Sequence, residues 1–128
     1  MRPSLLLTVA GVCLALVGLG FLLVPDAMTF GALAAGAPAG VVFALRGYGG
    51  ALLGVAVLDY MARNSDASRA RDAIFLANTV VFGLAAITEL LGALAGAPAM
   101  TWGSVIIDAV FAVAFFVVGR ANMSTRPS

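Results

Sequence analysis

Polar and apolar positions divide this chain into four long hydrophobic stretches. Residues 5–24 carry no charge, 41–61 hold Arg46 and Asp59, 73–95 hold Glu89, and 101–119 hold Asp108. About 20 consecutive apolar residues are enough for a helix to cross the hydrocarbon core of a bilayer. The apolar runs are continuous rather than alternating, which argues against the strands of a barrel. Backbone groups in lipid must satisfy one another within the segment, so the pattern predicts helices. The expectation is an all-α fold: a four-helix transmembrane bundle forming a single membrane domain over residues 1–128.

Composition sharpens this reading. Of the 128 residues, 62% are hydrophobic and 10% charged, against about 25% charged in soluble domains. A soluble globular domain and a disordered chain are both excluded on that ground. Seven arginines nearly balance six acids, so no basic surface for nucleic acid is expected. The chain has no His and one Cys. His-ligated metal, His-based acid–base catalysis and an internal disulfide therefore have no residues to build on. No metal site and no dedicated cofactor are expected, although a quinone or lipid would suit the setting.

Charge also orients the spans. Arg2 precedes the first; Arg63, Arg69 and Arg71 lie between the second and third; Arg120 and Arg126 follow the fourth. The other two connections, 25–40 and 96–100, have no Arg. The positive-inside bias predicts both termini in the cytoplasm of a multi-pass inner-membrane protein. The first apolar run is longer than a signal-peptide core, which predicts a retained helix. Ser65, Asp66 and Ser68 offer helix caps in the polar hairpin 64–72. The segment 26–40 is apolar and reads as either an interfacial or re-entrant piece or a flexible Ala/Gly loop. Residues 31–39 (GALAAGAPA) resemble 92–99 (GALAGAPA). In so Ala/Gly-rich a chain a chance match is the stronger reading, and two duplicated hairpins are the alternative.

Hydrophobicity cannot pull helices together inside lipid; small residues and polar contacts must. Each span carries such a stripe at helical spacing: Ser4, Thr8, Gly11, Ala15 and Gly18; Arg46, Gly50 and Gly54; Asn78, Ala85, Glu89, Gly92 and Gly96; Thr101, Ser104, Asp108, Ala112 and Gly119. Gly11, Gly18, Gly50, Gly54 and Gly92 are the expected packing positions. Arg46, Glu89 and Asp108 all fall roughly 8–10 Å inside the outer ends of their spans. This predicts their convergence, an intramembrane salt bridge in which the Arg fork bridges two carboxylates. Such a clamp either fixes helix register or forms a binding or proton site, with Asn78 as an additional polar lining. Asp59 and Arg63, four residues apart, read as a solvated helix-end pair. Trp102, Tyr48 and Tyr60 read as interface anchors, and Cys13 as an inert thiol.

The second span reads Leu45-Arg46-Gly47-Tyr48-Gly49-Gly50-Ala51-Leu52-Leu53-Gly54. An Arg followed by a Gly-Gly pair, then Leu and a further Gly, resembles the second helix of the DoxX-like group of small bacterial four-helix membrane proteins. Chain length, four spans and a short polar middle loop agree. The resemblance implies that Arg46 is a family feature, and that quinone-connected oxidoreductase complexes are one setting for such a protein. Three classes of function follow. The first is a non-catalytic accessory or assembly subunit of a larger membrane complex, its partners being the bilayer and other subunits or further copies. The second is a proton-coupled carrier of a small solute, anion, quinone or lipid. The third is an intramembrane acid–base enzyme.

Overall fold

The computed structural model describes residues 2–29, 33, 37–97 and 101–124. Four long helices account for most of them: α1 (Pro3–Leu23), α3 (Ala39–Ala62), α4 (Arg69–Leu94) and α5 (Thr101–Ser124), with a single-turn helix α2 (Pro25–Met28) after α1. All four long helices have the length and hydropathy to cross a membrane. The chain is therefore an all-α, multi-pass membrane protein. By packing it resolves into two compact units, Thr8–Tyr60 and Met1–Leu7 with Met61–Ser128.

Helix ends follow local chemistry. α4 starts at Arg69, four residues before its apolar run, because the Ser68 side chain caps it and accepts from the Arg71 N–H at 3.2 Å. Such a cap satisfies one of the orphan donors of the first turn. α4 ends in a Schellman turn. Gly96 takes φ +92°, the Ala97 N–H donates to the Gly92 carbonyl at 3.0 Å, and the Gly96 N–H donates to Ala93 at 3.2 Å. Glycine enters this left-handed conformation without a Cβ penalty. α2 begins at Pro25, whose fixed φ suits the first helical position. It lies against α1: a Cβ on Gly20 would strike the Met28 side chain. Much of the remaining 26–40 segment, and with it most of the first GALAAGAPA copy, lies outside the described residues.

Within the Thr8–Tyr60 unit, α1 and α3 run antiparallel at close range. A Cβ on Gly18 would come within 2.8 Å of the Gly49 carbonyl, and one on Gly49 within 2.6 Å of the Gly18 carbonyl and 2.8 Å of the Leu22 nitrogen. Further along, Gly11 faces the Ala56 carbonyl at 3.2 Å and the Asp59 Cβ at 3.3 Å. Backbone meets backbone here, the packing that small residues permit in lipid. Phe21 closes the other end, edge-on to Tyr48 at 5.2 Å. Tyr48 is thus packed about 14 Å along α3, where a boundary anchor had been expected.

The second unit is built on α4 and α5, also antiparallel, with rings filling the seam. Phe82 stacks on Phe111 at 4.8 Å and on Phe115 at 5.7 Å, and Phe75 meets Phe115 at 5.6 Å. Phe115 and Phe75 are fully enclosed. At the end of the seam near the 64–68 turn, the Arg71 guanidinium donates to the Ser65 carbonyl and, at 3.5 Å, to the Asn122 side-chain oxygen. That Arg ties the turn and both helices together.

Candidate functional site

Phe75, Phe82 and Glu89 are spaced seven apart on α4, and heptad spacing keeps them on one seam. Ser104, Asp108, Phe111 and Phe115 form the facing row on α5. Antiparallel register then sets Glu89 opposite Ser104 and Asp108. The Glu89 carboxyl lies near the Ser104 hydroxyl and the Asp108 carboxyl, close enough to interact with both. The Ser104 hydroxyl donates its one proton to the Thr101 carbonyl at 2.9 Å, so toward Glu89 it can act only as an acceptor. Glu89 Oε2 is buried with no hydrogen-bond partner. Two carboxyl groups share a hydrogen bond only through a proton that one of them carries. The pair can thus pass a proton between α4 and α5, or hold the two helices in register.

Arg46 belongs to the Thr8–Tyr60 unit. It is exposed on α3, seven residues and ~10 Å from the Ala39 end, and among the described residues it makes no salt bridge. The salt bridge expected from the three matched depths is not found among the described residues. Depth alone did not fix partners: α1 takes up the Gly49–Leu53–Ala56 side of α3, and Arg46 is exposed. The same geometry moves the predicted packing glycines. A Cβ on Gly50 or Gly54 would meet nothing within 4 Å, and both are exposed. The close approach uses Gly49, the other half of the Gly-Gly pair. Gly11 and Gly18 lie in that contact. Gly92 contributes its carbonyl to the α4 terminus, with only Ala97 Cβ nearby at 3.9 Å.

Two polar side chains are almost wholly enclosed: Asp59, 0% exposed, and Asn78, 1% exposed. Asn78 donates its amide to the Ile74 carbonyl at 3.0 Å, a bond within its own helix. Asp59 is enclosed where the sequence implies a solvated setting. The cause is Gly11: lacking a side chain, it lets α1 pass directly over Asp59. The signal was present in the sequence as the Gly11 step of the α1 stripe, but spacing to Arg63 pointed the other way.

An apolar groove of about 260 Å³ runs along the α1–α3 pair, bordered by Gly11, Ala15, Leu53, Ala56 and Tyr60. It has room for a chain of methylenes and no acid or base along it. Among the described residues no group of three metal-ligating side chains gathers. Compared with family models, with curated proteins and with solved structures, the chain matches none.

Proposed function

We propose that this protein is a non-catalytic accessory or assembly subunit of a larger membrane complex, seated in the bacterial cytoplasmic membrane with both termini inside. The observation that carries this reading is the free face of α3. Arg46, Gly50 and Gly54 follow one another along it, all exposed. An arginine facing acyl chains costs at least about 2.5–3.5 kcal/mol at mid-span, and bare glycines leave helix backbone uncovered. Neither suits a surface meant for lipid; both suit one meant for another protein. The resemblance of residues 45–54 to the DoxX-like second helix agrees with a place beside quinone-connected enzymes. The test is extraction in a mild detergent followed by identification of what copurifies. The subunit reading expects a fixed membrane partner in constant ratio, lost when the exposed α3 face is altered. A chain that purifies alone from its native membrane, under conditions that preserve other complexes, refutes it.

A second reading has its own observation. The Glu89 and Asp108 carboxyls are neighbours on facing helices, an arrangement suited to proton transfer in a carrier. It expects pH-dependent solute uptake by liposomes containing this protein alone, abolished by Asp108→Asn.

A further inference from the structure

We propose that the α4–α5 pair holds one phospholipid with a primary-amine headgroup, phosphatidylethanolamine, at the end of its seam near the 64–68 turn. The inference goes beyond the subunit reading and does not rest on it. A narrow groove of about 70 Å³ opens there, bordered on α4 by Asp72, Leu76 and Thr79 and on α5 by Phe116, Arg120 and Met123. Leu76, Phe116 and Met123 each leave about half or more of their surface open. The start of α1 and the end of α3 (Met1–Leu7 and residues 61–62) belong to the same compact unit as α4 and α5. Among the described residues neither borders the groove. The open side of the groove is thus a property of that one unit.

Depth and charge select the occupant. Asp72 immediately precedes the apolar run 73–95, and Arg120 immediately follows 101–119, which sets both at headgroup level. Thr79, seven residues on, lies ~10 Å deeper, and its hydroxyl is turned to the Phe75 carbonyl at 2.9 Å. One end of the groove thus carries an acid and a base, and the remainder is apolar. A phosphate meets the Arg120 fork with two hydrogen bonds. A primary ammonium brings three N–H donors to Asp72. Asp72 already has an interaction within the protein, and an ionised carboxylate has lone pairs for several donors. A trimethylated choline ammonium has no N–H to donate, and a glycerol headgroup brings no cation to Asp72. A helix ~10 Å wide does not enter a groove of this volume; a few methylenes of an acyl chain do. The alternative within the chain is direct pairing of Asp72 with Arg120, or with Arg69 one turn before it, and that arrangement gives no headgroup preference.

The test is native mass spectrometry of the full-length chain, released from detergent micelles that hold phosphatidylethanolamine, phosphatidylcholine and phosphatidylglycerol in equal amounts with identical acyl chains. The phosphatidylethanolamine adduct should exceed each of the others at least about threefold. Adding one and then two N-methyl groups to that headgroup should lower its retention stepwise. Asp72→Asn should bring phosphatidylethanolamine down to the phosphatidylcholine level, and Arg120→Gln should weaken retention of all three lipids. Both variants replace polar side chains at helix ends and should keep wild-type helix content. The headgroup contrast on the unaltered chain needs no variant. Equal retention of phosphatidylethanolamine and phosphatidylcholine overturns the proposal, as does a preference that survives Asp72→Asn. Phosphatidylglycerol held as well as phosphatidylethanolamine assigns Arg120 to anionic lipid and overturns it too. A dimer that Asp72→Asn dissolves assigns the groove to a second copy, with the same consequence. Each of these results leaves the copurification test of the subunit reading standing on its own.

Discussion

The α1–α3 and α4–α5 pairs solve the same problem by opposite means. Both must hold two antiparallel helices together where the surroundings are as apolar as the helices themselves. α1 and α3 do so by removing side chains, so that Gly18 and Gly49 let the two backbones touch. α4 and α5 do so mainly with rings, Phe75, Phe82, Phe111 and Phe115 filling the seam. Dispersion supplies the attraction in both cases, from many short backbone contacts in one and from a few large aromatic surfaces in the other. The difference decides where polar groups can live. The glycine contact leaves Asp59 sealed under α1, while the α4–α5 seam holds two carboxyls, Glu89 and Asp108, side by side.

The two designs should fail differently. The largest loss is expected at the aromatic seam: Phe115→Ala opens a cavity beside Phe75 and Phe82 and should cost about 3–5 kcal/mol, read by denaturant titration of the purified protein in detergent micelles. Gly49→Val comes next. Its added atoms meet backbone rather than a flexible side chain, and about 1–3 kcal/mol is expected, seen in the same titration. Arg71→Ala, which removes the bonds to Ser65 and Asn122, should lower stability by about 1 kcal/mol. It should also speed proteolysis within the 64–68 turn. The smallest effect sharpens the contrast most. Gly50→Ala, next door to Gly49, should shift stability by no more than about 0.5 kcal/mol. A Gly50→Ala change as damaging as Gly49→Val would mean that α3 is rotated from the orientation described here.

The spans were legible in the sequence because hydropathy is insensitive to which way a helix turns. Spans 5–24, 41–61, 73–95 and 101–119 became Pro3–Leu23, Ala39–Ala62, Arg69–Leu94 and Thr101–Ser124. The extensions are polar turns added by capping at Ser68 and by continuation past Arg120. The small-residue stripes of α1 and α5 also pointed toward the contacts seen: Gly11 and Gly18 meet α3, and Ser104 and Asp108 meet Glu89. The face of α3 was not legible. Gly49 and Gly50 are adjacent and about 100° apart around the helix, so the G-x-x-x-G of Gly50 and Gly54 looked the better track. In water the more polar of two faces would have turned outward; in lipid that contrast is gone, and only the shape of α1 chooses. The burial of Asp59 was not legible for a related reason. Its distance to Arg63 is a local signal, whereas its burial depends on a glycine 48 positions away in the chain.

The acids on α4 and α5 are each other's partners in this account, and a double-mutant cycle tests that most directly. Glu89→Gln, Asp108→Asn and the double variant would be compared by unfolding in detergent. The paired arrangement predicts an interaction energy above about 0.5 kcal/mol. Losses that simply add, within about 0.3 kcal/mol, would contradict it.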